Sequence, residues 1–96
     1  MKKIVMLFAG LFLAMQGIAQ YALQGRVVDE NGKALAGANV RIAGTYLGAS
    51  ANHKGEFRFE HLKRNPLTLE VSFLGYEKLR RTINLKQTKE TTLELT

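Results

Sequence analysis

Leu67-Thr68-Leu69-Glu70-Val71-Ser72-Phe73 alternates apolar and polar residues along its whole length. In an extended chain successive side chains point to opposite faces. Leu67, Leu69, Val71 and Phe73 therefore share one face, and Thr68, Glu70 and Ser72 share the other. This is the pattern of a strand with one side on a core and one side in water. Glu56-Phe57-Arg58-Phe59-Glu60 repeats it, with two aromatics inward and three charges outward. Val40 and Ile42 flank Arg41, Ile83 and Leu85 flank Asn84, and Leu93 and Leu95 flank Glu94. An opening strand over residues 22–29 carries Leu23 and Val27 on one face and Val28 on the other. A short strand is expected over residues 47–51.

Turn chemistry separates these runs. Asn31-Gly32 follows the opening strand, and both residues of that pair tolerate positive φ. Asn52-His53-Lys54-Gly55 precedes the Phe57/Phe59 strand. Asn65-Pro66 breaks the chain before Leu67, because the residue before a proline is driven out of the helical region. Gly75 marks a bend within the run from Val71 to Leu79. Nothing after residue 20 holds a helical period. Short strands at this spacing predict an all-β domain, a small seven-stranded β-sandwich or barrel.

The first 19 residues read differently. Lys2 and Lys3 open them, an almost unbroken apolar run covers Ile4 to Met15, and Gly17-Ile18-Ala19 presents small residues before Gln20. A positive start, an apolar middle and a small-x-small exit are the parts of a secretory signal peptide. The apolar run is too short for a bilayer-spanning helix, which needs roughly 20 residues. Residues 1–19 are thus expected to be a signal peptide cleaved between Ala19 and Gln20, and residues 20–96 the exported domain. The chain has no Cys. This excludes disulfides, thiol catalysis and thiolate metal sites. It also removes the lipid-bearing Cys of a bacterial lipoprotein, so the mature domain is expected to have neither a lipid tether nor a transmembrane segment. Without Lys2 and Lys3, twelve Lys and Arg stand against eight Asp and Glu, a formal +4. The signs are interspersed, which is the pattern of a solvated surface. The densest basic cluster is Lys78-Leu79-Arg80-Arg81.

Residues 23–95 resemble the carboxypeptidase-regulatory-like domain, a transthyretin-like β-sandwich of Greek-key type. The resemblance is carried by Gly25-Arg26-Val27-Val28-Asp29, by Asn31-Gly32-Lys33-Ala34-Leu35-Ala36-Gly37-Ala38-Asn39-Val40 and by Gly44-Thr45. It continues in Gly48-Ala49-Ser50-Ala51, Gly55-Glu56-Phe57 and Val71-Ser72-Phe73-Leu74-Gly75-Tyr76. Two positions depart from the family pattern. Ala34 replaces a usual proline, and Asn52-His53 replaces a Thr-Asp-type pair. A signal peptide leading straight into such a domain resembles the N-terminal extension of TonB-dependent outer-membrane receptors. The resemblance implies a non-catalytic accessory role at the periplasmic side of the outer membrane, with a protein partner there. A receptor would run on past Thr96 into a plug and barrel. On this reading the chain is either a stand-alone domain or a fragment of such a receptor.

The residues themselves carry little chemistry. Gly48-Ala49-Ser50-Ala51-Asn52 lacks the second Gly of a nucleophile elbow, and no helix pattern follows it. His53 and His61 are the only histidines and lie among Lys54, Lys63 and Arg64, a poor setting for a cation. Asp29 and Asn31 before Gly32 read as an Asx-type turn, since no Glu closes a calcium loop. Glu56 and Glu60, four strand residues apart, stand about 13 Å from each other, too far for a glycosidase pair. Lys54-Gly55-Glu56-Phe57-Arg58-Phe59 echoes an RNA-binding run, but its aromatics face the core, so no nucleic-acid partner is expected. No enzyme activity, metal or cofactor is expected either. The candidate binding residues are Tyr46, in the loop after Gly44-Thr45, and the cations Lys78, Arg80 and Arg81. An exposed Tyr also suits a carbohydrate, the alternative ligand.

Phe57, Phe59, Leu69, Val71 and Phe73 are expected at the centre of the core. Phe59→Ala should then cost about 3–5 kcal/mol, a large share of the stability of a domain this small. Urea melting measures this, and an unchanged midpoint would refute the assigned strand face.

Overall fold

The alternating runs build two sheets that face each other. The computed structural model describes residues 20–96, so the expected signal peptide lies outside the described residues. In chain order the strands are β1 (Tyr21–Val28), β2 (Asn39–Ile42), β3 (Gly48–Ser50), β4 (Glu56–Leu62), β5 (Leu67–Ser72), β6 (Leu79–Ile83) and β7 (Glu90–Glu94). One sheet has the order β4-β1-β7 and the other β3-β2-β5-β6. The chain is the all-β, Greek-key-type sandwich expected. Its connections pass from sheet to sheet after β1, β3, β4 and β6, so neighbours in sequence are often not neighbours in a sheet.

The four-stranded sheet is antiparallel throughout, with Ile42 opposite Leu69, Val40 opposite Val71 and Leu67 opposite Ile83. On the inner face of β5, Leu67, Leu69 and Val71 are buried, while Thr68, Glu70 and Ser72 remain half-buried. Across β5 and β6 the Thr68 and Thr82 hydroxyls bond at 2.9 Å, a cross-strand pair that helps hold register. In the three-stranded sheet β1 pairs antiparallel with β4 and parallel with β7. Leu23 and Val27 of β1, Phe57 and Phe59 of β4, and Leu93 of β7 meet the inner face of the other sheet in one buried cluster. Phe57 and Phe59 pack edge to face, their ring centroids 6.0 Å apart. Val28 faces the other way and is buried outside that cluster, where Ala34 bridges to its backbone.

Three details differ from the sequence expectation. Phe73 is only half-buried, because β5 ends at Ser72 and the chain turns there. Its ring instead packs 5.8 Å from that of Tyr76, which the bend at Gly75 carries back against the core. Leu85 is buried, but from a turn after β6 rather than from the strand. The alternation of β4 also changes phase. Phe57 and Phe59 point inward, but the next inward residue is Leu62, not His61. Tyr21 lies opposite Leu62 and Leu23 opposite Phe59, so β4 carries one residue more than β1 over this span. This is a β-bulge. His61, at φ 57°, is turned out by it and Leu62 is turned in.

Two turns share one construction. The Asp29 carboxylate accepts the amides of Asn31 (2.8 Å) and Lys33 (2.9 Å), and the Asp29 carbonyl accepts that of Gly32 (3.0 Å). The Asn52 side-chain oxygen accepts the amides of Lys54 (3.0 Å) and Glu56 (2.9 Å), and its carbonyl accepts that of Gly55 (2.8 Å). In each turn the fourth residue is a glycine at positive φ, 78° for Gly32 and 77° for Gly55. Gly55 has a second reason to lack a side chain. A Cβ there would lie 2.5 Å from the Val27 carbonyl oxygen. The departure noted at Asn52 is thus structurally equivalent to Asp29, since either side chain offers an oxygen to two backbone amides.

Gly25 explains how the aromatic cluster fits. It lies opposite Phe57 in β1, and a Cβ on it would meet Phe57 ring carbons at 2.5 and 2.7 Å and the Thr91 carbonyl oxygen at 2.7 Å. The bare backbone is the floor on which the Phe57 ring rests. Gly25→Ala should therefore lower stability by about 1–3 kcal/mol, the cost of overpacking. The same change in a Phe57→Leu background should cost less, and strict additivity of the two in denaturant melts would contradict the contact. Asn52→Ala strips an acceptor from two amides and should cost about 1–2 kcal/mol, whereas Asn52→Asp should restore most of that loss on the same melts.

Candidate functional site

Tyr46 sits at the tip of the turn between β2 and β3 and is fully exposed, at 108 %. The turn beneath it is well held. The Thr45 hydroxyl donates to the Ile42 carbonyl at 2.8 Å and accepts the Leu47 amide at 3.1 Å. The Thr45 amide donates to the same carbonyl at 3.2 Å. The ring is thus presented outward on a fixed support, with Leu47 beside it at 52 % exposure.

The other candidate residues lie elsewhere. Ile42, which leads into the Tyr46 turn, is opposite Leu69, while Leu79, which follows Lys78, is opposite Val71. Tyr46 therefore projects beyond the Leu67 end of β5, and Lys78 lies toward the Ser72 end. The basic cluster is itself divided. Lys78 and Arg80 bracket Glu70 at 3.5 and 3.6 Å, so one carboxylate on the outer face of the sheet meets two of the cations. Arg81 is in register with Leu69, on the inward side of β6. It stays exposed because β6 is the sheet edge. An inward-pointing charge on an edge strand discourages pairing with another chain. The candidate residues do not converge on one site.

Two concave regions are apparent only in three dimensions. The first is an open cleft of about 860 Å³ at the three-stranded sheet, whose lining includes Gln24, Arg26, Glu56, Arg58, Glu90 and Thr92. Three of its polar side chains are already engaged, one with another lining residue and two with groups outside the lining. Gln24 donates to Glu90 at 2.8 Å, the Arg26 side chain donates to the Lys54 carbonyl at 3.0 Å, and Arg58 pairs with Glu60 at 2.9 Å. The second is a smaller groove of about 200 Å³ next to the Tyr46 turn, lined by Ile42, Leu47, Leu62 and Leu67 with His61, Lys63 and Arg64 at its rim. This groove escapes a reading of the sequence because its walls come from the β2–β3 hairpin and from the β4–β5 connection between the sheets, and its shape depends on the bulge that turns Leu62 inward. The run Lys63-Arg64 before Asn65-Pro66 was the one local signal of it.

The residues weighed for catalysis are spread over strands and turns. Ser50 is an exposed residue of β3, and His53 is exposed in the turn that follows. The Asp29 carboxylate is occupied by backbone amides. His61 Nδ1 lies 3.0 Å from the Gln20 side-chain oxygen. No group of three metal-ligating side chains comes together among the described residues. No helix among them is long and apolar enough to cross a membrane.

Residues 23–96 match the family model of the CarboxypepD_reg-like domain. Over 77 residues the chain is 36 % identical to the TonB-dependent receptor SusC of Bacteroides thetaiotaomicron. That alignment takes in 79 % of this chain and 8 % of the receptor, so the chain spans a small part of that relative's length. Among solved structures, a chain from an N-terminal interface mutant of a type II cohesin–X–dockerin complex of Acetivibrio cellulolyticus superimposes with a TM-score of 0.67. It shares 17 % sequence identity, with 78 % of this chain and 56 % of the other covered, a likeness of fold alone. A family match over nearly all of the described residues, on a seven-stranded sandwich with the expected strand and turn chemistry, places this chain in the carboxypeptidase-regulatory-like domain family.

Proposed function

We propose that this chain is a non-catalytic, exported accessory domain that works at the periplasmic side of the outer membrane, in the manner of the N-terminal extension of a TonB-dependent receptor. The observation that carries this reading is the 36 % identity to such a receptor over 77 residues. Three further features support it. Residues 1–19 have the composition of a secretory signal peptide. The domain begins directly after them. The family is a regulatory-like, non-catalytic kind of domain, and Gln24, Arg26 and Arg58 of the larger cleft are already held by hydrogen bonds or an ion pair.

The role that follows is to present a surface to a protein partner. A sandwich whose core is closed between two sheets offers its turns and outer faces, and these can be held rigid at little entropic cost on binding. The second reading is a carbohydrate- or surface-binding module, favoured by the full exposure of Tyr46. A sugar ring stacks on such a face, and glycan binding lost on Tyr46→Ala would select that reading.

The test is photo-crosslinking in intact cells with a reactive amino acid placed at exposed positions, followed by membrane fractionation. The expected result is recovery in the outer-membrane fraction, crosslinked to an outer-membrane protein. Recovery as free soluble protein with no crosslinked partner would overturn the proposal.

A further inference from the structure

We propose that the β2–β3 turn and the β4–β5 loop together form a docking surface for an anionic phospholipid bilayer. Tyr46 and Leu47 stand side by side at the turn tip, 108 % and 52 % exposed. They are two of the three large hydrophobic side chains that the described residues leave exposed. Beside them opens the groove floored by Ile42, Leu62 and Leu67 and rimmed by Lys63 and Arg64. Tyr belongs at a bilayer interface, where its ring meets the acyl boundary and its hydroxyl stays in the headgroup layer. An exposed Leu beside it adds apolar area to bury.

The charges around this tip point to an anionic surface. Neither residues 43–47 nor residues 61–67 include an Asp or Glu. The ion pairs among the described residues are Arg58–Glu60, Lys78–Glu70 and Arg80–Glu70, so neither Lys63 nor Arg64 is paired with a carboxylate there. The third exposed hydrophobic, Leu74, lacks this setting. Glu77 follows it closely, and Lys78 is already bound to Glu70. An apolar tip flanked by unpaired cations is the arrangement that binds lipid headgroups by combined insertion and electrostatic attraction. The bulge at His61 builds it, because it turns Leu62 into the groove floor and His61 out beside Lys63 and Arg64. The inference stands apart from the receptor reading, since a lipid surface can be offered to the domain with no receptor present.

The test is co-sedimentation of residues 20–96 with vesicles of phosphatidylglycerol and phosphatidylcholine, compared with phosphatidylcholine alone. These residues hold both sheets and the whole core cluster, and they omit the apolar run of residues 4–15, which would itself enter lipid. Binding is expected only to the anionic vesicles and should weaken as salt rises. Lys63→Gln with Arg64→Gln should lower the partition coefficient roughly 25-fold, about fivefold per cation. Tyr46→Ser with Leu47→Ser should lower it roughly tenfold, and circular dichroism should show both variants folded. Lys33→Gln with Lys54→Gln removes the same charge from the turns at the other end of the sandwich and should leave binding within about twofold. Absence of binding to anionic vesicles, equal binding to both vesicle types, or an equal loss from the two Lys-directed variants would each overturn the proposal. So would binding that survives loss of Tyr46 and Leu47.

Discussion

β1 is hydrogen-bonded along both of its edges. The Gln24 amide donates to the Lys89 carbonyl at 3.1 Å on the β7 side, and the Val27 amide donates to the Gly55 carbonyl at 2.8 Å on the β4 side. β4 and β7 do not touch as partners, so the three-stranded sheet exists only through β1. The same strand fixes the aromatic layer. Leu23 and Val27 pack into the core, and Gly25 between them leaves room for the Phe57 ring. A residue with a side chain at position 25 would have to displace that ring or the Thr91 backbone. The strand order imposes a further condition. β1 is the first strand and β7 the last, and they pair in parallel, so this sheet is complete only when the two ends of the domain meet. The closure entropy of that long loop must be met by core contacts formed across the whole domain.

Much of this was legible in the sequence, and the reasons are local. β5 could be read residue by residue because its two faces differ in polarity at every step. The glycines of the two Asx-type turns could be read because a tight turn of that kind demands positive φ. The features that escaped depend on distant partners. Phe73 continues the alternation of β5 in sequence, but the turn through Gly75 and Tyr76 ends the strand one residue earlier. His61 interrupts the alternation of β4 because β1 runs alongside with one residue fewer, which no local pattern of β4 reveals. The parallel partnership of β1 and β7 is likewise invisible in either strand alone.

The same distinction governs the candidate surface. Tyr46 was identifiable from its position in a glycine-containing turn, and its exposure is that of a residue at a tip. The cluster Lys78-Leu79-Arg80-Arg81 looked like one basic patch because its members are consecutive. On a strand they alternate faces, and Glu70 of the neighbouring strand meets two of the cations. Lys63 and Arg64 are only a short basic run in sequence and lie beside an apolar groove in the fold. The sheets hold the loop ends in place, and the exposed side chains of Tyr46 and Leu47 stand on those loops.

The dependence of the domain on β1 is tested most directly by native-state amide hydrogen exchange on residues 20–96. The amides from Leu23 to Val28 are expected to exchange only by global unfolding, together with those of β5, because both strands are flanked on each side. Amides of the three-residue edge strand β3 and of the Tyr46 turn should exchange far faster, through local opening. Exchange of β1 as fast as that of β3, while β5 stays protected, would contradict the central place given to β1.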